Sequence, residues 1–100
     1  MKFCNQEVEP IFTKYRNGNL CLTVKDEDGY IEEVLTVNLK QKLSDKNCAF
    51  IDTNRQINVL NFLKKNKFGT VTGNKGKTEF ACYPEFKFDE KIVAKYFSIK

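Results

Sequence analysis

Histidine is absent from this sequence of 100 residues, and so is tryptophan. Because histidine is the side chain that most often acts as a general base near neutral pH, its absence removes the commonest route to acid–base catalysis. The neighbouring carboxylates Glu32 and Glu33 do not replace it, since adjacent side chains in a strand point to opposite faces. We therefore expect a protein that is not an enzyme and that uses no cofactor.

Long apolar runs are also missing. No stretch of the chain approaches the roughly 20 apolar residues that a membrane-spanning helix needs. The N-terminal segment MKFCNQEVEP has one lysine followed by acidic residues, without the apolar centre of a signal peptide. The sequence thus predicts a cytoplasmic protein that does not associate with a membrane.

Closely spaced cysteines are absent, although the chain has four cysteines. Structural zinc sites usually take cysteine ligands about two to four residues apart, and no C-x-x-C pair occurs here. We expect no metal site, no disulfide framework, and thiols that behave as small, partly buried apolar side chains. These thiols belong to Cys4, Cys21, Cys48 and Cys82.

The composition is that of one globular domain covering residues 1–100. Hydrophobic residues make up 41% of the chain and charged residues 30%, which differs from the composition of disordered chains. A chain of this length can bury a core of its own, and no linker or repeat divides it.

The first half of the chain has the patterns of strands. Residues 11–16 and 20–26 flank Asn17-Gly18-Asn19, a strong hairpin signal, and Glu27-Asp28-Gly29 separates them from a third stretch at 30–39. Leu20, Leu22 and Val24 alternate with other residues, which predicts one buried face. The prediction is a three-stranded antiparallel meander, with an edge, bulge or twist where Glu33 interrupts the apolar face.

The second half combines strands with two helices. Residues 48–51 predict a strand, and Thr53 with Gln56 matches a capping box that would begin a helix ending at Phe68-Gly69. Ile57, Leu60 and Leu63 form its predicted apolar stripe, flanked by Val59 and Phe62.

Residues 70–88 predict a hairpin or an irregular ribbon, with its tip at 72–77 and a return strand at 78–83. Pro84 is expected at an edge or a bulge because it has no N–H to donate. Asp89 is expected to cap a last helix over 90–97, whose inner face carries Ile92, Val93, Tyr96 and Phe97. The predicted fold is α+β, a small antiparallel sheet packed against two helices.

The stretch GTVTGNKGKT at residues 69–78 ends like a phosphate-binding P-loop. That motif needs a glycine five residues before Gly76, and the residue there is Val71. A P-loop also follows a buried strand and begins a helix, whereas here a predicted helix precedes and a predicted strand follows. We interpret the stretch as a basic hairpin tip, without nucleotide binding.

Charge is unevenly distributed along a chain with a formal net charge of +4. Between residues 55 and 77 all charged side chains are basic, and a second stretch is strongly acidic. If the predicted helix end and hairpin tip lie side by side, five lysines share one face. The basic group is Arg55, Lys64, Lys65, Lys67, Lys75 and Lys77, and the acidic group is Asp26, Glu27, Asp28, Glu32 and Glu33.

Three interpretations of the basic group remain open. It could dock onto a still unidentified protein partner, with the acidic group as a second contact patch. It could bind nucleic acid through phosphate contacts, and Tyr83, Phe86 and Phe88 could stack on bases, although aromatic residues at strand spacing more often belong to a core. It could also be a solvated lysine face without a partner. No helix-turn-helix, zinc-finger or RNP signature supports specific nucleic-acid recognition.

Two segments of the second half resemble a known family. CAFIDTN at 48–54 and CYPEFKFDEKIV at 82–93, together with the predicted helix ending LKKNKFG and Thr72-Gly73, are similar to a bacterial domain of unknown function of about the same length as this chain. The resemblance covers residues 48–93. It implies an accessory protein of conjugative or phage-like mobile elements, such as an inhibitor of a host nuclease or defence complex, with no known catalytic residues.

Overall fold

The computed structural model describes residues 1–29, 32–55 and 58–98. In this part of the chain, strands predominate and two short helices follow the sixth and eighth strands. The elements are β1 (Lys2–Phe3), β2 (Gln6–Lys14), β3 (Leu20–Asp26), β4 (Glu32–Val34), β5 (Thr36–Val37), β6 (Cys48–Ile51), α1 (Val59–Lys65), β7 (Gly69–Lys77), β8 (Cys82–Phe88) and α2 (Glu90–Tyr96).

The first sheet is antiparallel and has the strand order β1-β2-β3-β4. Strands β2 and β3 pair from Val8 opposite Asp26 to Lys14 opposite Leu20. The hairpin between them turns at Gly18, which has a φ of 90° and donates its N–H to the Tyr15 carbonyl. The antiparallel meander predicted for the first half is confirmed in part, because only the beginning of its third strand lies in this sheet, and β1 adds a strand that the sequence patterns did not indicate. The single sheet predicted from the sequence is replaced by two sheets in the described residues.

The third predicted strand divides between two sheets. Its beginning, β4, pairs with β3, whereas β5 pairs with β6 in a second sheet of order β5-β6-β8-β7. The crossing point is Leu35, whose N–H donates to the Leu22 carbonyl and whose carbonyl accepts from the Asp52 N–H. The break at Leu35 thus lies two residues after Glu33, near which an edge, bulge or twist was predicted. Residues 30 and 31 lie outside the described residues.

The hairpin of the second sheet differs from its prediction. Strand β7 runs through the expected tip, and residues 78–81 form the turn in place of the return strand. A register shift between Val71 and Lys75 accommodates the intervening residues, with Gly73 at a φ of 93°. Pro84 pairs with Lys75 at the end of this shift, which confirms its expected place at a bulge.

Helix α1 begins later than predicted. Its N-cap is Asn58, so the helix start predicted at Thr53 is wrong. Gln56 of the predicted capping box and Ile57 of the predicted apolar stripe lie outside the described residues. Thr53 belongs instead to a turn in which the Asp52 carboxylate accepts a hydrogen bond from the Arg55 N–H at 3.2 Å. This turn separates β6 from the helix.

Helix α2 begins as predicted, because the Asp89 carboxylate accepts from the Lys91 N–H at 2.8 Å. It ends at Tyr96, one residue earlier than expected. Phe97 is therefore not on its inner face, but is 36% exposed and forms a bridge to Phe12 of β2.

The core lies between the two sheets and α1, and aromatic rings dominate it. Phe12 of β2 packs edge-on against Phe88 of β8, with ring centroids 5.1 Å apart, and Phe86 lies 4.9 Å from Phe88. Phe68, next to the end of α1, contacts Phe12 and Phe62. Strand β3 is buried on both faces from Leu20 to Val24, in contrast to the single buried face that its alternation predicted.

Candidate interaction surface

The connecting segment 38–47, between β5 and β6, lies against the outer face of the second sheet. The Leu39 side chain packs directly on Gly76 of β7, because a Cβ added to Gly76 would lie 2.6 Å from Leu39 Cδ1. Phe50 and Cys48 on β6 are consequently 3% and 0% exposed. The segment is therefore a cover for the sheet, although its polar sequence predicts only a connection.

A glutamine fixes this segment to the end of β7. The Gln41 amide oxygen accepts a hydrogen bond from the Lys77 N–H at 2.9 Å, and the Gln41 amide nitrogen donates to the Lys77 carbonyl. Strand β7 is an edge of its sheet, so the Gln41 amide bonds to backbone N–H and C=O groups that would have no neighbouring strand as a hydrogen-bond partner. Lys40 and Lys42 flank Gln41 in sequence, so their backbone lies close to the end of β7.

We define the basic surface as four lysines at this end of the molecule, Lys40, Lys42, Lys75 and Lys77. Lys75 and Lys77 alternate with Gly76, which faces the 38–47 segment, so their side chains leave the opposite face of β7. All four side chains are exposed. Lys40 and Lys42 were missed as functional candidates because Gln41 and Lys77 are 36 residues apart in sequence. The only local signal was the lysine-rich composition of KQKLSDK.

The remaining predicted basic residues lie elsewhere. Lys64 and Lys65 are in the last turn of α1, and Lys67 follows with a φ of 58° just before β7 begins. A strand rises about 3.3 Å per residue, so the extended chain from Lys67 to Lys75 separates the two by roughly 20 Å even with the bulge. The structure does not place the helix end beside the hairpin end. Arg55 is exposed in the turn before α1.

A buried carboxylate supports the basic surface from within the sheet. Glu85 on β8 is 1% exposed. Its Oε1 accepts hydrogen bonds from the hydroxyls of Ser44 and Thr72, both at 2.6 Å, and its Oε2 accepts from the Ser44 N–H at 2.8 Å. The Asn74 amide donates to Ser44 Oγ at 2.8 Å and to Glu85 Oε1 at 3.4 Å. Glu85 thus joins the 38–47 segment to the bulge of β7.

Two opposing effects set the pKa of the Glu85 carboxyl. Burial disfavours the charged form and raises the pKa, but the hydrogen bonds from Ser44, Thr72 and Asn74 stabilise the carboxylate and together lower the pKa below its usual value. Next to it, Asp45 forms an ion pair with Lys87 at 3.1 Å. The backbone N–H of Asn47 and this lysine lower the pKa of the Asp45 carboxyl.

The acidic group lies at the end of the first sheet that is opposite to the 38–47 segment. Asn38 of the 38–47 segment accepts a hydrogen bond from Asn19, just before β3 begins, whereas Asp26 ends β3. Seven residues of strand span about 20 Å, so the acidic turn is distant from the 38–47 segment. Glu27 and Asp28 lie in that turn, and β4 carries Glu32, which is 4.0 Å from Lys25, and Glu33. The acidic turn is thus separated from the 38–47 segment, but the predicted charge separation also included Lys64, Lys65 and Lys67, and it stays a prediction.

The turn of the β7–β8 hairpin presents an aromatic side chain beside the basic surface. Phe80 is 92% exposed. The three aromatics suggested for base stacking are placed differently: Phe86 and Phe88 are 0% and 1% exposed within the core, and Tyr83 is half-buried. Phe80 was not among the candidates from the sequence, because the pattern around it predicted a strand.

The cysteines are free thiols: Cys21 and Cys48 are buried, and Cys4 and Cys82 are exposed. Burial raises the pKa of the Cys48 thiol. Within residues 1–29, 32–55 and 58–98, no group of three or more acidic or thiol side chains is arranged to hold a metal ion. In the same ranges, neither helix has the length and apolar character required to cross a bilayer.

Comparison with known proteins gives a family but no characterised relative. Searches of curated proteins and of solved structures found no match. The family model described as a domain of unknown function, DUF4313, matches residues 11–98. This match extends beyond the resemblance seen at 48–93 and includes the meander of the first sheet. The association with mobile elements stays a prediction, but the chain belongs to the DUF4313 family.

Proposed function

We propose that this chain is a non-enzymatic binding protein that docks onto an acidic macromolecule through its basic surface. The observation that carries the proposal is the Gln41 clamp, which brings the backbone of Lys40 and Lys42 to the end of β7 that carries Lys75 and Lys77. The acidic turn at the far end of β3 supports it, because a molecule with separated charges is oriented by the field of a charged partner.

The target that we favour is a protein. A more specific version of the proposal is an accessory protein of a mobile element that inhibits a host nuclease or defence complex. The support for this version is the resemblance of residues 48–54 and 82–93 to proteins of such elements. The acidic turn would then be a second contact patch.

Charge reversal tests where the binding surface lies. Changing Lys42, Lys75 and Lys77 to glutamate is expected to weaken binding to immobilised poly-L-glutamate by roughly 10- to 100-fold, since each reversal replaces an attraction of about 0.2–1 kcal/mol with a repulsion. The matched control changes Lys64, Lys65 and Lys67 to glutamate and gives the same net charge. We expect the control to keep most of its affinity. Equal losses in both variants would show that net charge alone governs binding and would contradict the located surface.

Direct nucleic-acid binding is the second candidate, because the same lysines could contact phosphates. It predicts that labelled duplex DNA or single-stranded RNA binds with an affinity that falls steeply with salt. In the variant with Lys42, Lys75 and Lys77 reversed, the slope of log affinity against log salt for duplex DNA should become shallower. The change should be about 0.9 for each lysine that neutralises a phosphate in the parent chain. Absence of binding to both nucleic acids at low salt would leave the protein target.

A further inference from the structure

Phe80 stands out on the surface of the molecule. Its exposed fraction is 92%, whereas the other exposed large hydrophobic residues of the described ranges, Val34, Val71 and Phe97, are 36% to 44% exposed. A phenylalanine side chain is usually buried in a folded protein, because leaving its ring in water forgoes about 1.5–3 kcal/mol of burial. The fold does not use this ring for its own stability.

The turn holds Phe80 in this outward position through its backbone. The Thr78 hydroxyl oxygen accepts hydrogen bonds from the N–H groups of Phe80 at 3.3 Å and Ala81 at 3.0 Å. The Thr78 N–H also donates to the Ala81 carbonyl at 2.8 Å. A side chain on an ordered turn loses less conformational freedom on binding than one on a mobile loop, which favours affinity.

We propose that Phe80 is the anchor of this interface and inserts into an apolar pocket with an acidic rim on a partner protein. The proposal rests on the basic-surface function above and names the kind of site that the surface recognises. Interfaces commonly centre on one buried aromatic side chain surrounded by polar contacts. Lys75 and Lys77, on the strand that leads into the turn, would provide those contacts with an acidic rim.

A protein pocket fits these observations better than a nucleic-acid strand. Single-stranded nucleic acids are usually held by several aromatic side chains on which successive bases stack. Here the strand aromatics Phe86 and Phe88 are buried, so they do not extend a stacking surface from Phe80. A second copy of the chain is a poorer partner, because the described residues that line the cleft beside its acidic turn, Gln6, Glu7, Asp26, Glu27 and Asp28, include no apolar side chain.

Photo-crosslinking with the full chain tests the anchor. The chain carries p-benzoylphenylalanine at position 80 in native host cells, and a control chain carries it at Val71, which is exposed on the same hairpin far from the turn. We expect one discrete, nuclease-resistant protein adduct from position 80 only, with its crosslink in an acid-rimmed apolar pocket. Adding Lys75→Glu and Lys77→Glu should abolish that adduct. A nuclease-sensitive adduct, an adduct to a second copy, or no adduct would overturn the proposal.

Affinity for the crosslinked protein then separates the anchor from the basic surface. Phe80→Ala is expected to weaken binding by about 30-fold or more, as truncation of a central aromatic anchor does. Phe97→Ala serves as the control and should change affinity little. If Phe80→Ala binds normally while the Lys42, Lys75 and Lys77 reversal fails to bind, the anchor is wrong and the basic surface stands. If neither variant loses affinity, both proposals fail. Thermal unfolding of Phe80→Ala should match that of the parent chain, because the ring is almost fully exposed to solvent.

Discussion

Replacing Glu85 with glutamine is expected to lower the free energy of unfolding by about 2–3 kcal/mol at neutral pH. The carboxylate accepts hydrogen bonds from Ser44, Thr72 and Asn74 while it is 1% exposed. A glutamine keeps one oxygen that can accept hydrogen bonds. Its amide nitrogen replaces the other carboxylate oxygen, so an N–H group then faces a hydroxyl or N–H group that donated to that oxygen. The hydroxyls can rotate to accept from this N–H, but the remaining hydrogen bonds then go to a neutral amide in place of a carboxylate and are weaker. Urea denaturation followed by circular dichroism measures the loss.

The effect of this substitution should depend on pH in a defined direction. Because the pKa of Glu85 in the folded protein is below its ordinary value of 4.5, its charge stabilises the fold fully above about pH 4.5. That contribution is lost as the pH falls through the folded-state pKa, where the protonated carboxyl resembles the glutamine amide. The difference between the parent chain and Glu85→Gln should therefore shrink on acidification. Comparing the two proteins at each pH removes the contributions of Glu7 and Asp45, whose pKa values are also lowered.

Glu79→Gln is the matched control, because it removes the same charge from an exposed position in the hairpin turn. We expect it to change the free energy of unfolding by less than about 0.5 kcal/mol. A Glu85→Gln variant as stable as this control, or a difference between Glu85→Gln and the parent that grows at low pH, would mean that the carboxylate does not hold the 38–47 segment to the sheet.

Local sequence patterns were sufficient for several elements of the fold. The Asn17-Gly18 turn, the strand at 48–51 and the Asp89 cap of α2 each depend on residues that are close in sequence, and the structure has all three. The patterns failed where hydrogen bonds outside the recognised motif determine the local structure. Thr53 and Gln56 match a capping box, but Asp52 instead holds the chain in a turn with Arg55. A match to one local motif cannot show that competing hydrogen bond.

The candidate surface was predictable only in part, for the same physical reason. Lys75 and Lys77 were identified from their charge, but the side chains that join them come from a segment whose position is set by Gln41 and Ser44. The hairpin turn was misplaced because β7 continues through its bulge, and this error concealed Phe80 within a predicted strand. Side-chain contacts between residues about 40 positions apart leave no periodic trace in a sequence.

The second large effect is expected at Gly69, where substitution by alanine should destabilise the fold by about 3 kcal/mol or more. A Cβ at this position would lie 1.9 Å from the Lys87 carbonyl oxygen, and the φ of 153° is one that L-residues rarely adopt. The opposing atom is backbone in the central strand β8, so it cannot move without breaking the pairing of Gly69 with Phe88. Thermal unfolding and the yield of folded protein measure the effect.

Gly73→Ala separates the two causes of that loss. Gly73 also has a positive φ, at 93°, but a Cβ there meets nothing within 4 Å. Its substitution by alanine should lower the free energy of unfolding only through the strain of a positive φ, by about 1–2 kcal/mol. The excess loss in Gly69→Ala then measures the steric contact between the start of β7 and β8. Equal losses in the two variants would show that the strands separate readily at Gly69.

A firm contact at Gly69, together with the Glu85 network at the bulge, means that β7 is fixed at two points before it reaches Lys75 and Lys77. The basic surface and Phe80 would then be presented to a partner on a rigid hairpin. Rigidity of this kind is the condition under which a single aromatic anchor binds with little entropic cost. The stability of Gly69→Ala and the affinity of Phe80→Ala therefore test two parts of one mechanism, the support of the hairpin and the use of its turn.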